Sequence, residues 1–176
     1  MRIVEAGEAD FDAVMRVERE AFGRDDEPRL VAALLRDPTA QPVVSLLAFE
    51  AGRAIGHVLL TKATLDGATR EASAAILAPL AVIPAWQRRG VGRALIEHGA
   101  GVAVAMGVRL VFVLGDPGYY TRRGFLPAFA YGLRAPYPIV PAEAWMVRPL
   151  APDLLGTIAG TVACAVSLAR PEYWRE

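Results

Sequence analysis

The sequence predicts a mixed α/β domain, and three observations carry that reading. Apolar residues make up 54% of the 176-residue chain while its formal charge sums to zero, the balance of a chain that folds around a core. Segments with the 3.6-residue period of a helix alternate with short β-rich runs. Mid-chain, "LAPLAVIPAWQRRGVGRALIEHG" reads as strand, glycine loop and helix in succession. No repeat, linker or low-complexity tract interrupts residues 1–176, which read as a single domain.

The elements follow in order. "RIVEA" is a short strand, and Asp10 is placed to cap the helix "FDAVMRVEREAF". Phe11, Val14, Met15 and Phe22 recur there at helical spacing, and Glu18, Arg19 and Glu20 read as a solvated face. The helix "PRLVAALLRD" opens with Pro28 and stops before Pro38, since proline suits a first helical turn and disfavours helix just before it. Two β-rich runs flank Ala51-Gly52-Arg53 as a hairpin. "SAAILAPLAVIP" is a third apolar run, followed by a helix from about Gly90 to Met106. "RLVFVLG" is short and apolar enough for the interior of a mixed sheet, and "PGYYTRRGF" is a short helix or turn. Beyond Phe125 the chain turns rich in Pro, Tyr and Ala, with strands and loops expected and "AWMVRPL" as one strand.

Several function classes drop out. Zero net charge argues against a dedicated nucleic-acid binder. "MRIVEAGEADFDAV" carries acids where the apolar stretch of a secretory signal would stand. Leu154 to Ala169 is uncharged for 16 residues, short of the ~20 that span a bilayer, and reads as buried structure. No membrane role is expected. The one cysteine, Cys164, excludes an internal disulfide, fits a reducing cytoplasm and reads as a small buried hydrophobe. His57, His98 and Cys164 lack metal-ligand spacing, so no metal is expected. No Gly-x-Ser-x-Gly elbow occurs, and Trp86, Trp145 and Trp174 read as core.

Gly90 and Gly92 are the signal that remains. A glycine inside a helix costs about 1 kcal/mol relative to alanine, so two at a helix mouth call for another reason. A helix N-terminus presents unpaired N–H groups and about half a positive charge, and glycine lets an anion approach the backbone. Arg88, Arg89 and Arg93 stand beside it, which favours a phosphate-bearing ligand over a plain turn. No Gly-Lys-Ser/Thr follows, excluding a kinase-type P-loop. A dinucleotide site is a rival, with Asp116 about 20 residues on, where an acid would bind the ribose. Against it, Leu95 replaces the third glycine and six residues separate strand from loop.

The passage from Leu77 to Gly99 resembles the central motif of the GNAT superfamily of N-acetyltransferases, in which Gln/Arg-x-x-Gly-x-Gly/Ala joins a strand to a helix. Gln87, Gly90 and Gly92 match it. Tyr120, Gly124 and Phe125 match a second family pattern, Tyr-x-x-x-Gly-Phe, and "EAF" with the hairpin fits the family layout. "LAPLAV" with "VLGDPGYYTRRGF" is similar to a bacterial GNAT subgroup of poorly defined substrates. The resemblance covers residues 1 to about 130, and residues 131–176 diverge.

It implies the GNAT fold, with a central, mostly antiparallel sheet flanked by helices and a V-shaped opening between the strands ending near Val82 and Gly115. It also implies acetyl-CoA as co-substrate. Backbone amides of Arg88, Arg89, Gly90, Val91, Gly92 and Arg93 would hold the pyrophosphate, with Gln87 in the motif. Leu80, Ala81 and Val82 would pair through their main chain with the pantetheine arm. Tyr120 would protonate the departing thiolate, with Tyr119 as the alternative acid and as a residue that packs against the cofactor, and Asp116 would share in cofactor hydrogen bonding unless it is a turn-former. The implied reaction is acetyl transfer to an amine, of a small molecule or a protein, by direct attack. The family often places a glutamate on the strand before the glycines, but "SAAILAPLAV" has none. Glu20, Glu50 and Glu71 are the acids available, His57 on the hairpin is a further base candidate although a lone histidine there reads more as a satisfied core residue, and no base is assigned. The missing glutamate keeps open a module that binds a CoA ester without catalysis, and a homodimer stays open beside a monomer.

Overall fold

A computed structural model describes residues 1–175. Its spine is the hairpin of β2 (Val44–Glu50) and β3 (Arg53–Asp66), turning through Ala51 and Gly52, both at positive φ. Such a two-residue turn suits the twist of the strands it joins. β1 (Arg2–Glu5) adds antiparallel to β2, and β4 (Ala74–Val82) antiparallel to β3. β5 (Leu110–Leu114) joins β4 in parallel through the crossover helix α3 (Val91–Ala105), the connection a parallel pair requires. β8 (Trp145–Pro149) then pairs antiparallel with both β5 and β6 (Leu126–Pro127). Sheet order is therefore β1-β2-β3-β4-β5-β8-β6, mostly antiparallel, with "RLVFVL" interior as its apolar run required. A small flank is made by β7 (Leu133–Arg134) and β9 (Gly160–Ala163), the latter on the far end of β3.

Helices cover both faces. α3 buries Val91, Leu95, Ile96, Gly99 and Ala103 on one. On the other, α1 (Phe11–Phe22) buries Val14 and Val17, and α2 (Asp26–Arg36) buries Leu30, Val31 and Leu34, the i, i+3, i+4 stripe of an amphipathic helix. α4 (Pro117–Tyr120) is a single turn after β5.

Four expectations need correction. Glu18 does not belong to the solvated face: it is wholly buried, while Arg19 and Glu20 do face water. Asp10 occupies the N-cap position of α1, but its Oδ2 accepts from the Gly7 N–H at 2.8 Å, so it closes the preceding turn. The run Leu154 to Ala169 is only partly buried and is split between β9 and a 3-10 turn, with Cys164 half-exposed within it. Trp145 and Trp174 are core, but Trp86 is half-buried under the Arg89 guanidinium, 5.0 Å from its ring centre. Among the described residues no helix is long and apolar enough to cross a membrane.

Candidate active site

β4 and β5 pair only from Ala74↔Leu110 to Ile76↔Phe112, and beyond Ile76 they part. Against β3, β4 is interrupted at Ala78–Pro79, where the register jumps from Val58↔Leu80 to Leu60↔Leu77. Proline has no N–H to give a ladder, so it sits where the ladder breaks. Further along, the Ile83 N–H bonds the Ile55 carbonyl at 3.0 Å. Bonded and non-bonded pairs alternate in an antiparallel ladder, so Ala81 bonds to His57 while the main-chain groups of Leu80 and Val82 turn away from β3 into the gap. This corrects one expectation: Ala81 has its main chain committed to β3, and Leu80 and Val82 carry the free edge. The Val82 carbonyl accepts from Gln87 Nε2 at 3.0 Å, so Gln87 ties the glycine loop back to the strand.

At the mouth of α3 the backbone makes two left-handed turns, at Arg88 (φ 61°) and Gly90 (φ 84°). An arginine there is strained, and such strain gathers at functional sites. The first helical bond runs from the Ala94 N–H to the Gly90 carbonyl at 3.0 Å, so the N–H groups of Val91, Gly92 and Arg93 have no partner within the helix. A side chain on Gly90 would meet open space, and Arg88, Arg89 and Arg93 are all exposed around the loop. These residues fit a pyrophosphate. Gly92 is different. A Cβ there would collide with the Tyr119 hydroxyl, so the second glycine makes room for a tyrosine instead of leaving an open path to a phosphate.

The two tyrosines are fixed differently. The Asp116 carboxylate accepts from the Gly118 N–H at 2.9 Å and caps α4, the turn-forming role. Tyr119 lies under the Arg123 guanidinium, 3.9 Å from the ring centre, and meets Tyr120 edge-on at 4.9 Å. The Tyr120 ring packs on the bare Cα of Gly115 and edge-on to Phe125 at 5.4 Å, on the wall of the gap. Burial pushes its phenol pKa well above the ordinary value, with the neighbouring Tyr119 adding to it and Arg123 opposing.

A cavity of about 600 Å³ opens where β4 and β5 part. Its inner wall includes Leu80, Leu114 and Tyr120, and its outer wall comes from Phe22, Glu27 and the C-terminal Trp174. Glu27 is the buried carboxylate of this wall, held by Arg24 Nε at 2.5 Å. Behind it lies the pair of Glu18 and His57, joined at 2.6 Å. Burial raises the Glu18 pKa, the His57 contact opposes this, and the charge of Glu27 adds to the rise. His57 is wholly buried, with Glu18 on one ring nitrogen and Ser45 on the other. Glu71, Glu20 and Glu50 do not line the cavity, and Glu27 was missed. The signal was present: Glu27 shares the stripe of Leu30, Val31 and Leu34, as Glu18 shares that of Val14 and Ala21. Among the described residues no cluster of His, Cys, Asp or Glu could hold a metal ion.

Comparison with known proteins agrees with this geometry. Residues 11–125 match the Acetyltransferase (GNAT) family. The chain is 45% identical over 161 residues to the uncharacterized N-acetyltransferase YjhQ of Escherichia coli K12, covering 89% of this chain and 88% of the relative. It is 32% identical to the uncharacterized N-acetyltransferase YhbS of the same organism, over 86% of this chain and 87% of the relative. The crystal structure of E. coli YhbS in complex with CoA superposes with a TM-score of 0.87 at 29% identity, covering 96% and 92% of the two chains. A GNAT acetyltransferase from Brucella melitensis in complex with acetyl-CoA gives 0.74 at 27% identity, covering 95% and 97%. With the family pattern laid over most of its length and the split sheet beneath it, this chain belongs to the GNAT family of acetyltransferases.

Proposed function

We propose that the protein transfers the acetyl group of acetyl-CoA to a primary amine by direct attack, as a bacterial cytoplasmic enzyme. The observation that carries this reading is the β4–β5 gap, which brings Tyr120 and Glu27 to the walls of one cavity, with Leu80 of that wall reaching the mouth of α3 at Gly92. The unpaired amides of Val91 to Arg93 would hold the pyrophosphate, and the free edge of Leu80 and Val82 the pantetheine arm. An N–H of that edge would face the thioester oxygen as charge builds on it.

Protons are managed at both ends. Tyr120 gives its proton to the departing thiolate. An alkylamine with a pKa near 10.4 is neutral in only roughly one molecule in a few thousand at pH 7. Glu27 supplies the carboxylate that holds the ammonium group and takes its proton. No metal and no covalent enzyme intermediate enters this scheme.

The test is calorimetric titration with acetyl-CoA, with NAD as control, followed by thiol release across a panel of primary amines. Saturable binding of acetyl-CoA with amine-dependent thiol release is expected. Binding without turnover across the panel would make this a CoA-ester-binding module, and affinity for NAD alone would restore the dinucleotide rival.

A further inference from the structure

The sheet face beneath α1 carries a second arrangement that the acetyl-transfer scheme leaves unused. Leu47 stands opposite His57 in the β2–β3 register and Ser45 opposite Leu59, so Ser45 and His57 are diagonal neighbours on one face. The Ser45 hydroxyl lies 2.9 Å from His57 Nε2, and His57 Nδ1 lies 2.6 Å from Glu18 Oε1. With Glu18 ionised, its carboxylate accepts from Nδ1–H, which leaves Nε2 of the neutral ring as the acceptor and Ser45 as the donor. Hydroxyl, imidazole and carboxylate thus connect through the same atoms as in a serine nucleophile, its base and the acid that orients the base.

Two further observations separate this from a core histidine that is merely satisfied. Glu18 and His57 are wholly buried, and among the described residues Glu18 Oε2 has no hydrogen-bond partner, an expensive arrangement in a largely apolar core. Ser45 also lines a cavity of its own, about 550 Å³, between the N-terminal turn and the end of α2. Phe11, Val14 and Leu35 give that cavity apolar walls, and Arg36 brings a cation to it. It shares no lining residue with the cavity of Tyr120.

We propose that Ser45, His57 and Glu18 form a second, serine-based acyl-transfer site that takes small esters through this cavity. Ser45 Oγ bonds to the ester carbonyl carbon while its proton passes to His57 Nε2, and Glu18 steadies the resulting imidazolium. Collapse breaks the bond to the alcohol oxygen, which leaves with the proton from Nε2. Water then attacks the acyl-serine by the same route, releasing the carboxylic acid and restoring Ser45. Ester and water become acid and alcohol, with no other reactant.

The test treats the intact protein with 4-nitrophenyl acetate, and separately with a fluorophosphonate, and maps the adducts by peptide mass spectrometry. An adduct on Ser45 in the folded protein, absent after unfolding in urea, is expected. Labelling should slow roughly hundredfold in Glu18→Gln, checked for folding by circular dichroism. No adduct on Ser45, or equal labelling in urea, would overturn the proposal. Ser45→Ala should keep its acetyl-CoA-dependent transfer to amines. Loss of that transfer in a folded Ser45→Ala protein would mean the three residues serve the Tyr120 site, which also overturns a separate one.

Discussion

The Tyr119 hydroxyl stands over the Cα of Gly92, in the space that a side chain on this first-turn residue of α3 would need. The ring has little freedom to retreat, stacked under Arg123 and braced edge-on by Tyr120. Gly92→Ala should therefore destabilise the protein by about 1–3 kcal/mol, the usual cost of overpacking. Tyr119→Phe removes the colliding oxygen and should restore part of that loss in the double variant. Urea unfolding of the four proteins measures the coupling, and strictly additive effects would mean that Tyr119 simply swings aside.

Tyr120→Phe keeps the ring on Gly115 and removes only the proton donor. It should lower kcat by roughly 10²–10⁴-fold while leaving the acetyl-CoA Kd unchanged, which steady-state kinetics with calorimetry would show. Gly115→Ala keeps the hydroxyl group but pushes the ring that carries it aside, so it should lower kcat in the same direction. Because burial raises the Tyr120 pKa, its deprotonation contributes no fall in rate on the alkaline side of an ordinary assay range. A basic limb that disappeared in Tyr120→Phe would contradict this.

These residues also show what could be read from the chain beforehand. The order of elements was legible, because strand and helix periods differ and the Pro and Gly punctuation is strong. The α3 loop was legible because two glycines at a helix mouth have few other uses. The reason for Gly92 was not, since it depends on Tyr119, 27 positions away in the chain. Glu18 was hidden by a rule that is right on average: a charge among other charges faces water. Glu27 was hidden by a helix boundary, since the helix was expected to open at Pro28 and α2 begins at Asp26. Each lies on its helix's apolar stripe, and periodicity, weighed above residue type and carried back one turn for Glu27, would have placed both inside. The free edge at Leu80 and Val82 comes from alternation in a ladder whose partner strand the sequence does not specify.

Glu27→Gln should leave acetyl-CoA affinity intact and lower kcat/KM for the amine roughly hundredfold or more. The defect should shrink as pH rises toward the amine's own pKa of about 10.4, because the neutral amine then needs no base. Rate measurements from pH 7 to 10 on both proteins test this. A defect that stayed constant with pH would leave Glu27 a binding group and nothing more.

Asp37 should set the acid limit of the fold. Its Oδ1 accepts from the Thr39 hydroxyl at 2.6 Å and the Thr39 N–H at 2.8 Å, and its Oδ2 from the Ser167 N–H at 2.9 Å. Thr39 in turn accepts from the Val166 N–H at 2.9 Å, so the end of α2 is tied to the C-terminal segment that supplies Leu168 and Trp174 to the cavity of Tyr120. The bond from the Thr39 side chain and the contacts to Ser167 hold the Asp37 pKa down to about 2, against an ordinary 3.8. A carboxyl depressed in the folded state stabilises it fully above the unfolded pKa, and that contribution drains away as pH falls from about 4 towards 2. Urea midpoints of the wild type should fall through this window. Asp37→Asn should start from a lower midpoint at neutral pH, because an amide offers one acceptor oxygen where two are used, and should fall less steeply between pH 4 and 2. It should also raise KM for the amine without changing acetyl-CoA affinity, since the segment it releases walls the amine's side of the cavity. Parallel pH profiles of the two proteins would show that the tie contributes nothing to acid stability.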